Sequence, residues 1–341
     1  MKTKQLLNFD IRSFDKIKTI IREISSTYVN YKQLNTYELS ELYSPFIEKS
    51  IVQYIKSHLY RKKVYIINSN INITIYSCEQ LSYEFELCVL LHIVSTILLT
   101  LHVFGKSTEH TELNIVYIDI DQPKYLNKIV HTENDIESGC IGRNINSGST
   151  VVSTGNIKIW RRSELVRTLI HELIHSLCLD LKNTNIVECF TAHVTKVNGT
   201  INRFLYGFNF NEVYTEFITL HIYAIWRAYM DNTSVQHQFN QLIKSSVHQM
   251  NVLLNHLNKY NVKCSLHNSN IMSYIYLKTI IAKSKKMRNI MYKLIDVNGN
   301  NSIDDLICQL IDWIEPIVNN TFEHIFTNDK TFDYTSFMFY D

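Results

Sequence analysis

The spacing of apolar and polar positions along this chain changes several times. Between residues 12 and 60 the apolar side chains recur at helical intervals. Phe14, Ile17, Ile20 and Ile21 form one stripe, and Leu39, Leu42 and Phe46 form the next, so helices are predicted there. From Lys63 to Ser77 two β-rich runs flank Asn68-Ser69-Asn70, which is a hairpin signal. Leu87 to Phe104, LCVLLHIVSTILLTLHVF, carries no charge and predicts a long helix. Leu113 to Ile120, LNIVYIDI, alternates like a strand, and Asn156 to Trp160, NIKIW, is a second short strand. Residues 121–150 between them are irregular and rich in turn residues, including Ser138-Gly139 and Asn146-Ser147-Gly148. Ser163 is then placed to cap a helix from about Glu164 to about Leu181. Beyond it, apolar periodicity near 186–197, 211–230, 234–258, 271–294 and 302–319 predicts helices almost throughout.

This layout implies an α+β fold, with a mixed α/β front half around a small sheet and a mostly helical back half. The expected division is 1–181 and 182–341, with the boundary inside 182–210 and the two lobes packed as one unit. No internal repeat or low-complexity linker interrupts the chain.

Composition narrows the function classes. With 45% apolar and 19% charged residues the chain is an ordinary globular sequence. A net charge of +2 announces no nucleic-acid surface, and aromatic residues interleave with Lys and Arg only sparsely. Eight glycines and three prolines in 341 residues favour long helices over tight loops. The seven cysteines, at 78, 88, 140, 178, 189, 264 and 308, show no C-x-x-C spacing. An odd count and irregular spacing fit a reducing, intracellular setting, and the first residues lack an apolar stretch of signal-peptide length. Leu87–Phe104 is just long enough to span a bilayer. His92, Ser95, Thr96, Thr100 and His102 within it suit a buried core helix better, so no membrane partner is expected.

One segment carries chemistry. RTLIHELIHSL, Arg167 to Leu177, sets two histidines and a glutamate in an apolar helix. Polar groups are costly to bury without partners. Residues i and i+4 share a helix face, so His171 and His175 can present two imidazoles to one ion, with Glu172 beside them. In such a site the metal activates a water molecule, and the glutamate takes its proton as general base. The opposing reading is a pair of core histidines with ordinary partners, in a metal-free helical protein. That reading gives no reason for a glutamate next to the first histidine.

The segment resembles the zincin metallopeptidases, whose H-E-x-x-H helix supplies two zinc ligands and the general base. The likeness is clearest over about 155–220. NINSGST (Asn144 to Thr150), NIKIWRRSE and the zinc helix are also similar to metallopeptidase-like proteins of large DNA viruses. If the chain is viral, host cytoplasm or virion becomes the expected location. The H-x-x-G-x-x-H extension of the metzincins is missing, since Cys178 and Leu181 occupy its glycine and last histidine. The resemblance therefore implies a gluzincin-like site with one Zn²⁺ per chain, a third ligand from a later glutamate, and a peptide or protein substrate.

Three glutamates compete for that third position. Asn211-Glu212-Val213-Tyr214-Thr215-Glu216 resembles the N-E-x-x-S-D word of thermolysin-like enzymes. Mapped residue by residue, Glu212 is the ligand and Glu216 the carboxylate that orients a ligand histidine. Shifting the register by one turn makes Glu216 the ligand. Glu188, in IVECFTAH, lies 13 positions after His175 (188 − 175) and ranks third. The 37 positions from His175 to Glu212 (212 − 175) exceed the thermolysin spacing and require an inserted helix and loop over 182–210.

Weaker signals remain. Asn146 to Thr150 reads first as a surface turn, and second as an edge strand that could bind a substrate backbone. Tyr206, Tyr214 and His221 could each donate to an oxyanion. Cys140 could cap a metal but reads better as a free cysteine, and Asp180 at the helix end reads as structural. The expected activity is zinc-dependent peptide hydrolysis. The alternative is a catalytically inactive zincin-fold protein used for binding or assembly.

Overall fold

A computed structural model describes residues 25–28, 32–33, 49–67, 69–78, 83–121, 147–181, 209–259, 272–296 and 305–314, with Ile47 and Pro316. The strands are β1 (Ser25–Tyr28), β2 (Lys32–Gln33), β3 (Leu59–Ile67), β4 (Ile71–Cys78), β5 (Leu113–Asp119), β6 (Gly148–Thr150) and β7 (Asn156–Trp160). The helices are α1 (Lys49–Ser57), α2 (Tyr83–Val103), α3 (Leu165–Ser176), α4 (Phe210–Met230), α5 (Val235–Lys259), α6 (Lys278–Lys283), α7 (Lys285–Asp296) and α8 (305–314). The mixed α/β class and the helical back half are as expected. The N-terminal stretch is not helical throughout, because Ser25–Tyr28 is a strand antiparallel to β3.

The sheet runs β1-β3-β4-β5-β7-β6, with β2 also on β3. β3 and β4 form the expected hairpin, turning at Ser69, whose φ of 59° suits a short polar residue. β4, β5 and β7 are parallel, and β6 returns antiparallel to β7 as an edge. Alternation along the strands splits the side chains between two layers. Ile73, Ile75, Ile115, Tyr117, Ile157 and Ile159 join the main core with α2, α3 and α4. On the opposite face, Tyr76, Ile118 and Trp160 pack with Ile51 and Ile55 of α1. The main core draws on residues from Tyr65 to Ile314, so it crosses the expected 181/182 division.

The long apolar helix α2 lies within this core. It is long and apolar enough to cross a membrane, but 67% of its most apolar window is buried inside the protein. Trp226 of α4 donates its indole N–H to Ser95 Oγ of α2 at 2.9 Å, which accounts for one polar residue in the run.

Three sequence expectations are corrected here. Ser163 does not cap α3. It sits in a 3₁₀ turn, Arg162–Glu164, that feeds the helix without a side-chain cap. The helix stops at Ser176, not near Leu181. Leu179 N–H bonds to Ile174 O and Cys178 N–H to His175 O, with Cys178 left-handed at φ 51°. This is a Schellman turn without its customary glycine, so the sequence carried no stop signal. The stretch 271–294 is broken into a π-turn at Met272–Leu277 followed by α6 and α7.

Candidate metal centre

The start of α3 is held by the sheet. Arg162 makes paired hydrogen bonds of 2.9 and 2.6 Å to the buried Asp119 at the end of β5, and Tyr117 O–H donates to the same carboxylate at 2.7 Å. Arg161 before it is buried at φ 86°, a conformation rare for a side chain of its size. All of α3 from Leu169 to Ser176 is buried, including His171, Glu172 and His175. The helix that carries His171, Glu172 and His175 is therefore packed on every side over these residues.

α4 brings the third group. Asn209 caps this helix by accepting from the backbone N–H groups of Asn211 and Glu212, and its own N–H donates to Ser273 Oγ in the π-turn. Glu212 thus lies in the first turn, and its Oε2 is 3.3 Å from Nε2 of both His171 and His175. The two Nε2 atoms are 2.9 Å apart. Among the described residues, His171, His175 and Glu212 are the group whose ligand atoms converge tightly enough to share one ion.

Each imidazole has a carboxylate on its other nitrogen. His175 Nδ1 is 2.9 Å from Asp180 Oδ2, which the Schellman turn swings back, and Asp180 Oδ1 accepts from Thr215 Oγ1 at 2.7 Å. His171 Nδ1 is 2.9 Å from Glu216 Oε1. Glu216 Oε2 in turn meets Arg167 Nη2 at 2.9 Å and the fully buried Lys278 Nζ at 3.8 Å. In a neutral imidazole a carboxylate at Nδ1 favours the proton there and leaves Nε2 as an acceptor.

The donor set fits a divalent metal. Two nitrogens and one oxygen form a triangle with edges of 2.9, 3.3 and 3.3 Å. Tetrahedral zinc bonds of about 2.0–2.1 Å would place ligand atoms roughly 3.3 Å apart. Three lone pairs facing one another repel unless a cation or a proton sits between them. The ion-free electrostatics describe the proton case. Burial disfavours both imidazolium forms, but Glu212 and Glu216 raise His171 well above the ordinary histidine range. Asp180 and Glu212 likewise raise His175 to about 9. Burial also pushes at Glu212, but the two imidazoles hold it down at about 2. Glu172 is different. Burial raises it to about 7 against the pull of both histidines.

The other expected residues separate clearly. Glu216 faces the back of His171 and is not inside the triangle. Glu188, Tyr206 and Cys140 lie outside the described residues. Tyr214 is buried on α4, where desolvation, with Asp180 and Asp296 nearby, raises its hydroxyl pKa. His221 turns away into an aromatic cluster with Phe217, Phe239 and Tyr292, bonding Phe217 O and the Tyr292 hydroxyl at 2.8 Å each. Asp180, expected to be structural, touches a candidate ligand. Sequence reading missed Arg167, Thr215, Lys278 and Tyr274, whose ring meets His171 edge-on at 5.5 Å. Arg167 precedes His171 by four positions, and that spacing could have suggested it. Lys278 and Tyr274 carry no such signal.

The stretch expected to be a surface turn is also corrected. Gly148–Thr150 is the edge strand β6, and it lies against α3 beside Glu172. Comparison of the chain with protein families, with curated proteins and with solved structures finds no match in any of the three.

Proposed function

We propose that the chain is a zinc-dependent metallopeptidase of gluzincin type. His171, His175 and Glu212 would hold one Zn²⁺. The observation that carries this reading is the convergence of His171 Nε2, His175 Nε2 and Glu212 Oε2 to within 3.3 Å of one another, with Glu172 buried beside them. When bound, zinc supplies a Lewis acid that polarises a peptide carbonyl and makes water a nucleophile near neutral pH. Glu172 takes the proton of the attacking water and passes it to the leaving amine. Asp180 and Glu216 fix the tautomers of His175 and His171. The β6 edge offers backbone groups along which an extended peptide can lie.

Elemental analysis and a peptide-library cleavage assay test this together. About one zinc per chain is expected in wild type, lost in Glu212→Ala and His171→Ala, and retained in Glu188→Ala. Glu172→Gln should keep its zinc and lose at least about 100-fold in turnover, the usual scale for removing a general base. Wild-type protein that takes up no zinc at neutral pH, or a Glu172→Gln variant that cleaves normally, would sink the reading.

A further inference from the structure

The start of strand β6 is held between α3 and β7 through Ser147. Ser147, just before β6, donates a 2.5 Å hydrogen bond to Glu164 Oε2, just before α3. Trp160 N–H donates to Ser147 O at 2.8 Å. Gly148 then passes so near the helix that a β-carbon on it would lie 3.0 Å from both Cγ and Oε1 of Glu172, and would overlap Thr168 Cγ2. Backbone conformation does not demand glycine here, because among the described residues the left-handed glycines are Gly105 and Gly155. What demands it is close approach, the second use of glycine.

We propose that Gly148 is a positioning residue for Glu172. Its missing side chain lets the edge strand form a wall against the carboxylate and fixes where that carboxylate sits. The edge along which a peptide would lie and the proton-carrying group are thereby set at one distance. This inference rests on the role given to Glu172 under the peptidase reading.

The test uses the zinc-loaded 341-residue chain. Gly148→Ala should keep about one zinc per chain and KM within twofold, lose at least about tenfold in kcat, and melt several degrees lower. Adding Thr168→Ser deletes the overlapping methyl. The melting temperature should then return while kcat stays low, because the new β-carbon still crowds Glu172. Wild-type kcat in Gly148→Ala would overturn the proposal, as would a double variant that recovers turnover and stability together. Wild-type protein that holds zinc and cleaves nothing would defeat the peptidase reading alone. The contact would then be read in metal-free protein, where Glu172→Ala should recover part of the melting temperature that Gly148→Ala loses. Strictly additive losses would overturn it.

Discussion

Two carboxylates, the half-buried Asp180 and the buried Glu216, do not enter the triangle, yet they face its histidines from behind. Each faces at 2.9 Å the Nδ1 atom of a ring whose Nε2 points into the triangle. Replacing such partners typically costs 10–100-fold in metal affinity. Asp180→Ala and Glu216→Gln should each weaken zinc binding by about that factor in a chelator competition, with wild-type stoichiometry at saturating zinc. A second residue-scale consequence concerns His221. Burial holds it at about 4, aided by Arg288 and opposed by its bond to Phe217 O. The unfolded chain, at about 6.5, takes up this proton first. Stability therefore falls as pH drops from 6.5 towards 4, by roughly 3 kcal/mol at most from this group. Denaturant titrations at pH 7 and pH 4.5 should show that loss, and His221→Gln should flatten it.

At the scale of elements, the sequence was most legible where period and length agreed. The β3–β4 hairpin, β5, β7, α2, α4 and α5 fall where alternation or helical spacing put them. His171, Glu172 and His175 were legible because a single helix fixes their relation. Other features were hidden because their cause is tertiary. β6 has three residues and no alternation to read, and it exists because β7 pairs with it and α3 backs it. The end of α3 was invisible because a cysteine stands where a left-handed glycine is usual. That gives a test. A left-handed non-glycine residue costs about 1–2 kcal/mol. Glycine's looser unfolded chain offsets part of this. Cys178→Gly should therefore stabilise the protein by roughly 0.5–1 kcal/mol in a denaturant titration. A destabilised variant would mean that the cysteine side chain contributes packing there.

For the whole molecule, the arrangement joins distant stretches of chain around one core. α3 follows directly from the parallel sheet, α4 arrives after an intervening segment, and the π-turn that leads into α6 anchors the start of α4. The layered order of the sheet was beyond sequence reading. Parallel neighbours such as β4, β5 and β7 are set by crossovers and core packing, not by any local word. Glu212 could be ranked first by its resemblance to a known spacing, but the 37 positions separating it from His175 meant that only the fold could bring them together.

That separation has a kinetic consequence. In an unfolded chain His171 and His175 are four residues apart, while Glu212 is a long loop away. Parallel strands and such distant pairings form late, since loop-closure entropy must be overcome before their contacts give any return. We predict that the complete triangle forms after the folding transition state. Ligands of this kind act on the exit rate from the native basin. In stopped-flow experiments, saturating zinc should leave the refolding rate within about twofold and slow unfolding by orders of magnitude. About 1,000-fold slowing is expected when free zinc is 1,000 times its dissociation constant. For this chain, zinc would act as a latch that closes after folding, and its removal would shorten the protein's lifetime without changing how it folds.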